Sequence, residues 1–137
     1  MSLVLDSSVT LAWLYADEVT PAVREVFQLT KTGGAWAPSL WRLEVGNALQ
    51  MGMRRGRLDL AFLRAALADL SLFPINVDPD TDKQAWAATL DLAHRHHLTL
   101  YDAAYLELAH RRGFPLATLD RDLRSAATAE KVDLLGI

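Results

Sequence analysis

Four carboxylates occupy positions from which side chains can take part in chemistry: just after a predicted strand, or on the inward face of a predicted helix. They are Asp6, Glu44, Asp102 and Asp120. Carboxylates crowded together repel one another, which raises their pKa values unless a cation neutralises them. Oxygen ligands without His or Cys favour Mg²⁺ or Mn²⁺ over Zn²⁺. Such a site suits phosphoryl chemistry, because the cation acidifies water and screens the charge on a phosphate.

Three of these acids also have a structural interpretation as helix caps. Asp6 and Asp120 each precede a predicted helix, where an aspartate often accepts a hydrogen bond from the backbone. The pattern Thr99-x-x-Asp102 resembles a capping box, although Glu or Gln is the usual partner. The sequence alone leaves both interpretations open for each of the three.

Glu44 is harder to explain structurally, because it lies in the middle of a predicted helix. Its face of that helix also carries Leu40, Leu43, Asn47 and Met51. Burying a carboxylate on a largely apolar face is unfavourable unless the carboxylate is paired or bound to a metal. The structural alternative is an ion pair with Arg42 or Arg54 at the edge of the helix.

Short apolar runs alternate with longer helical patterns, which indicates an α/β fold of parallel strands joined by helices. The predicted strands cover residues 3–5, 35–37, 74–77, 114–119 and 132–135. Helices are predicted over residues 7–16, 21–31 and 38–53, then from Asp59, from Asp78-Pro79, from Thr99 to Arg112 and after Asp120. Right-handed crossovers place the carboxyl ends of all strands at one sheet edge, where we expect the four acids to meet.

The four tryptophans are interpreted as packing or interface residues rather than as platforms for stacking bases. Trp36 and Trp86 are expected in the core, and Trp86 shares its helical face with Leu90 and Ala93. Trp13 and Trp41 could face a partner.

Length and composition limit the class of protein. The 137 residues, 51% of them hydrophobic, fit a single domain spanning 1–137. No apolar run reaches the roughly 18 residues of a membrane span, and the N-terminus lacks a secretory signal, so the cytoplasm is the expected compartment. The absence of cysteine excludes disulfides and thiolate metal sites.

The net charge of −3 argues against a broad basic face for nucleic acid, although local phosphate contacts remain compatible with it. Arg54, Arg55 and Arg57 form the basic cluster considered for such contacts. The alternative is that they are a solvated helix end.

Four blocks of the sequence resemble the motif blocks of PIN domains. They are Val4-Leu5-Asp6-Ser7-Ser8-Val9, Glu44 with Asn47, Tyr101-Asp102-Ala103-Ala104-Tyr105, and Thr118-Leu119-Asp120-Arg121-Asp122-Leu123. No single block is specific, but their order, their spacing and the compact length together are. The resemblance spans the whole chain and is nearest to the VapC toxins of type II toxin–antitoxin pairs.

This resemblance implies a three-layer α/β/α domain with a five-stranded parallel sheet in the order 3-2-1-4-5. It implies endoribonuclease activity that depends on Mg²⁺ or Mn²⁺, on RNA as substrate. It implies Asp6, Glu44, Asp102 and Asp120 as acidic ligands, Asp122 as an outer ligand, and Ser8, Asn47 and Thr118 as supporting polar groups. It also implies a homodimer and inhibition by a cognate VapB-like antitoxin.

Two other functions are compatible with acids at the ends of strands. A receiver-type phosphoacceptor domain wants an acid pair after the first strand, an acceptor Asp after the third and a Lys after the fifth. Here only Asp6 follows the first strand, Asp78-Pro79 looks like a helix start, and no Lys follows the fifth. The second alternative is a non-catalytic RNA-binding PIN module, against which the complete acid set argues.

Overall fold

Five short strands form one parallel sheet in the computed structural model, which describes residues 1–137. They are β1 (Leu3–Leu5), β2 (Ala35–Ala37), β3 (Ile75–Val77), β4 (Leu116–Ala117) and β5 (Leu134–Leu135). Their order is β3-β2-β1-β4-β5, and every neighbouring pair is parallel. This confirms the expected sheet and places β1, whose three residues are fully buried, at its centre.

Eight helices flank the sheet, because parallel strands need crossover connections. They are α1 (Ser7–Leu14), α2 (Pro21–Gly33), α3 (Trp41–Arg54), α4 (Leu60–Leu72), α5 (Thr81–Gln84), α6 (Ala88–His96), α7 (Leu100–Arg112) and α8 (Arg121–Ala129), with a short 3-10 turn at Ala16–Glu18. Helix α1 packs against α2 and α3, while α7 packs against β1 and forms a hairpin with α6. None of the helices is both long enough and apolar enough to span a membrane.

Local signals explain most helix boundaries. Thr20, Asp59 and Thr99 each accept a backbone hydrogen bond at the start of α2, α4 and α7, as N-caps do. Gly34 ends α2 and Gly113 ends α7, both with positive φ angles that glycine adopts without strain. The strands are shorter than expected: Pro115 has no N–H to donate to the ladder, and β4 begins only at Leu116.

The segment after β3 differs most from the expectation. Asp78 does not cap a helix; its carboxylate is 2% exposed and accepts a 2.6 Å hydrogen bond from Nη2 of Arg111. Arg111 also binds Glu107, which is 4% exposed, through Nε at 2.8 Å. This buried ion-pair cluster ties the turn after β3 to α7, and the helix predicted from Asp78 is divided into α5 and α6.

The tryptophan assignments were partly wrong. Trp86 lies in the break between α5 and α6 and is 88% exposed, whereas Trp41 is 6% exposed and donates from Nε1 to Oγ1 of Thr10. Trp36 is partly buried beneath the guanidinium of Arg112, and Trp13 packs partly buried against two phenylalanines. Periodicity did not reveal that the helix carrying Trp86 is interrupted.

A candidate active site of four carboxylates

Asp6 leaves the carboxyl end of β1 directly into a hydrogen-bonded pocket. Asp6 is 4% exposed, and its Oδ2 accepts hydrogen bonds from Oγ of Ser8 at 2.6 Å and from Oγ1 of Thr118 at 2.7 Å. Asp6 occupies the N-cap position of α1, but its carboxylate makes no capping hydrogen bond, so the expected capping role of its side chain was wrong. Oδ1 has only the hydroxyl of Ser7, 3.5 Å away, and is left almost free.

Thr118 and Ser8 join the ends of β1 and β4. Besides donating to Asp6, the fully buried hydroxyl of Thr118 accepts from the backbone N–H of Asp120 at 3.1 Å. The Ser8 hydroxyl likewise accepts from the N–H of Leu119 at 3.0 Å. Two hydroxyls therefore fix the first and fourth acids relative to each other across the centre of the sheet.

Asp120 caps α8, as the sequence suggested. Its Oδ2 accepts from the N–H of Leu123 at 2.9 Å, and its Oδ1 makes no protein hydrogen bond. The capping interpretation and the functional one are compatible, because one oxygen holds the helix and the other remains available.

Glu44 lies in the first turn of α3, not in the middle of the helix as predicted, and extends towards α7. Its Oε1 accepts from the hydroxyl of Tyr105 at 2.5 Å, and it forms no ion pair with Arg42 or Arg54. The face of α3 that carries Glu44 is more open to solvent than expected, since Leu43 is 77% exposed and Asn47 is exposed. Glu44 itself is half-buried at the border between the core and this open surface.

Asp102 lies in the first turn of α7. Its backbone N–H donates to Oγ1 of Thr99 at 3.1 Å, so the threonine half of the proposed capping box is present. The carboxylate of Asp102 is half-buried and close enough to Asp6 and Asp120 to be repelled by both.

Shared electrostatics show that the four acids meet. Burial raises the pKa of Asp6 despite the hydrogen bonds from Ser8 and Thr118, and the charge of Asp120 adds to the rise. Burial also raises the pKa of Glu44, helped by the charges of Asp6 and Asp102. For Asp102, burial and then the charges of Asp120 and Asp6 raise the pKa. The expected convergence at one sheet edge is therefore what the structure has.

The donor set fits a hard cation, because every group in it is a carboxylate or hydroxyl oxygen. No three acidic or histidine side chains lie close enough together to hold a metal ion.

The other residues considered for the site differ in their surroundings. Asp122 is exposed in the first turn of α8, and its charge contributes to the raised pKa of Asp102. The side chain of Asn47 is exposed and makes no hydrogen bond, and Arg54 and Arg55 are exposed. Arg57 binds Glu18 at 2.9 Å, and its guanidinium carbon lies 3.7 Å from the centre of the Tyr15 ring. Phosphate contacts by Arg54, Arg55 and Arg57 stay a prediction, and Arg57 is the one whose guanidinium is already paired within the protein.

Two neighbours of the acids were not singled out from the sequence as site residues. Tyr105 is fully buried and donates to Glu44, and the Ser7 hydroxyl adjoins Asp6 and lowers the pKa of Glu44. Tyr105 follows Asp102 by three residues and so shares its helical face, which was the available signal. Its contact with α3 depends on tertiary packing that no local pattern shows.

The receiver-type alternative does not fit this architecture. The sheet order 3-2-1-4-5 differs from the 2-1-3-4-5 order of receiver-like folds. The acid after β3, Asp78, is held by Arg111 and is not free to accept a phosphoryl group.

Comparisons with known proteins agree with the geometry. The model of the PIN domain family matches residues 3–129. Ribonuclease VapC3 of Pyrobaculum aerophilum is 34% identical over 125 residues, covering 90% of this chain and 92% of that protein. Exonuclease VapC9 of the same organism is 40% identical over 81 residues, 58% of this chain, and the match spans only 57% of that relative.

Solved structures share the fold. The crystal structure of PAE2754 from Pyrobaculum aerophilum has a TM-score of 0.67 and 29% identity, with 92% of this chain and 87% of that chain covered. FitAcB from Neisseria gonorrhoeae has a TM-score of 0.56 and 15% identity, with 98% and 96% covered, and shows likeness of fold alone.

Proposed function

This chain belongs to the PIN-domain family, and we propose that it is a metal-dependent endoribonuclease acting as the toxin of a VapBC-type pair. The observation that carries the proposal is the way the acids are held. In Asp6, Asp120 and Glu44, protein donors hold one carboxylate oxygen, and the other oxygen makes no hydrogen bond shorter than the 3.5 Å contact of Asp6 with Ser7. Likeness to a ribonuclease over almost the whole chain supports RNA as the substrate.

Asp6, Glu44, Asp102 and Asp120 would hold Mg²⁺ or Mn²⁺, with Asp122 further out. When bound, the cation lowers the pKa of a water and screens the charge that develops on the phosphate. The reaction is hydrolysis of an RNA phosphodiester, with water attacking phosphorus and the product keeping a 5′-phosphate.

The chain's own part is to hold the acids before substrate arrives. Ser8 and Thr118 fix Asp6, while the N-terminus of α8 fixes Asp120. Because these groups are tied to backbone elements, little reorganisation is needed when charge develops, which is how preorganised sites accelerate reactions.

A VapB-like antitoxin and a second copy of the chain are the partners that the family likeness supports. Both are part of the proposal. Growth arrest on expression, relieved by the product of an adjacent small reading frame, is the expected behaviour of a toxin.

An exonuclease is the second candidate, because the relative VapC9 bears that name at 40% identity. A circular RNA separates the two activities, since only an endonuclease can open a molecule without ends. Purified protein should linearise circular RNA in Mg²⁺ and should not do so in EDTA.

Asp6→Asn, which keeps the shape of the side chain, should lower the rate by more than about a hundredfold, since even outer partners of a metal contribute roughly ten- to a hundredfold. Asp69→Asn is the matched control, because Asp69 is exposed on α4 and away from the four acids. Full activity in EDTA or in Asp6→Asn would contradict the proposal. Degradation of linear RNA with circular RNA left intact would favour the exonuclease.

A further inference from the structure

Tyr105 places its only polar group at the site while the rest of its side chain lies in the core. The residue is 0% exposed and sits in α7, where residues 103–109 are all buried. Its hydroxyl donates to Oε1 of Glu44 at 2.5 Å. A buried phenol needs a hydrogen-bond partner, and here the partner is one of the four acids.

Glu44 has the longest side chain of the four acids. Asp6 and Asp120 follow strand ends and Asp102 lies in the first turn of α7, whereas Glu44, in the first turn of α3, reaches the other acids through one more methylene. It has no arginine partner, and its neighbours Leu43 and Asn47 are exposed. Without the hydroxyl of Tyr105, the hydroxyl of Ser7 is the remaining side-chain donor near the Glu44 carboxylate.

We propose that Tyr105 is a positioning residue that holds Glu44 by Oε1 and thereby presents Oε2 to the cation shared with Asp6, Asp102 and Asp120. This inference rests on the proposed function. Tyr105 does not touch the reacting atoms, because it is fully buried and acts through Glu44. The hydroxyl therefore affects how tightly the cation is held, while the ring serves the core.

The two roles of Tyr105 can be separated, because Tyr105→Phe removes the hydroxyl and keeps the ring. The readout is the affinity for Mn²⁺, measured by electron paramagnetic resonance of the free ion, beside thermal unfolding and RNA cleavage. Tyr15→Phe is the matched control, because this substitution removes a hydroxyl that makes no hydrogen bond and keeps the ring beneath Arg57. Tyr105→Phe should weaken Mn²⁺ binding about tenfold, the lower end of the effect of outer partners of metal ligands.

The Glu44→Ala background shows whether the hydroxyl acts through Glu44. There, adding Tyr105→Phe should cause no further loss of Mn²⁺ affinity. Glu44→Asp leaves the core intact and keeps the proposal testable if Tyr105→Phe fails to fold. Its carboxylate is one methylene shorter and cannot both meet the hydroxyl and reach the site, so a similar loss is expected.

Wild-type Mn²⁺ affinity in folded Tyr105→Phe or in Glu44→Asp would overturn the positioning role. An equal loss on adding Tyr105→Phe to Glu44→Ala would also overturn it, because the hydroxyl would then act independently of Glu44. A wild-type protein that binds no Mn²⁺ and cleaves no RNA would contradict the proposed function itself, which distinguishes that failure from a failure of this inference.

Discussion

At the scale of single residues, two of the acids use one carboxylate oxygen for structure and leave the other nearly free of protein donors. Asp120 caps a helix with Oδ2, and Asp6 accepts two hydroxyls with its own Oδ2. Each keeps its second oxygen nearly free of protein donors. A helix cap and a ligand are therefore not competing interpretations for Asp120, although the sequence presented them as such.

Crowding of these acids should lower the stability of the metal-free protein. The folded pKa of Asp102 is raised above its ordinary value of 3.8, first by burial and then by Asp120 and Asp6. The folded state thus holds the Asp102 proton more tightly than the unfolded chain does. The stability this gives is complete below the unfolded pKa and is lost as pH rises through the folded pKa.

Asp102→Asn should therefore stabilise the metal-free protein at pH 7 by about 0.5–1 kcal/mol, the lower part of the range for single stabilising substitutions, because Asp102 is only half-buried and solvent screens its charge. The gain should shrink as pH falls through the raised pKa of Asp102, because the wild-type carboxylate then becomes protonated. Urea unfolding in EDTA at several pH values measures it. With saturating Mg²⁺ the order should reverse, and a stabilisation independent of pH would contradict the explanation.

The positions of the acids could be predicted from the sequence, because each directly follows an apolar run or lies at a helical spacing. Tyr105 as the partner of Glu44 could not, since 61 residues separate them and the contact needs α3 and α7 to be packed together. Trp41 and Trp86 were misassigned for a similar reason: burial depends on where a helix is placed, and periodicity gives only its face.

At the scale of elements, the caps were predictable and the turn after β3 was not. The caps of α4 and α7 depend on residues three positions apart, which a sequence shows directly. Asp78 had the same local signature, but it is bound by Arg111, 33 residues away. A tertiary ion pair overrode a local preference there.

Arg111→Ala should destabilise the protein by about 3 kcal/mol, because it leaves the carboxylates of Asp78 and Glu107 buried without their partner. Burial alone would raise the pKa of Asp78, but the hydrogen bonds from Arg111 outweigh burial and the net pKa is lowered. The stability that the Asp78–Arg111 pair contributes is therefore present near neutral pH and is lost on acidification. The mutant should thus differ least from wild type in acid.

Urea unfolding at pH 7 and in acid measures the effect of Arg111→Ala. Arg64→Ala is the control, since Arg64 is exposed on α4 and makes no ion pair. Equal, small effects of both substitutions at pH 7 would show that the cluster does not hold α7 to the turn after β3.

At the scale of the whole molecule, the order of the strands creates the site. The chain adds β2 and β3 on one side of β1 and then returns to add β4 on the other side. Such a reversal opens a crevice at the carboxyl ends of the strands on either side of it. Asp6 follows β1, Asp120 lies just beyond β4, and Thr118 bridges them across this switch point.

Alternation of strands and helices predicted the parallel sheet, but the order 3-2-1-4-5 came only from resemblance to the family. Periodicity cannot give that order, because strands of two or three residues are too short for their side-chain pattern to indicate which strands lie beside them. The meeting of four acids from distant parts of the chain is a property of the topology.

We propose that these four acids bind a catalytic metal ion, and an anomalous difference map from crystals soaked in Mn²⁺ is the decisive measurement. A peak in contact with Asp6, Asp102 and Asp120 and reached by Glu44 is expected, and it should disappear in Asp6→Asn crystals. Mn²⁺ bound only elsewhere, such as at Asp78 and Asp80, or no peak at saturating Mn²⁺, would show that these acids do not form a metal site.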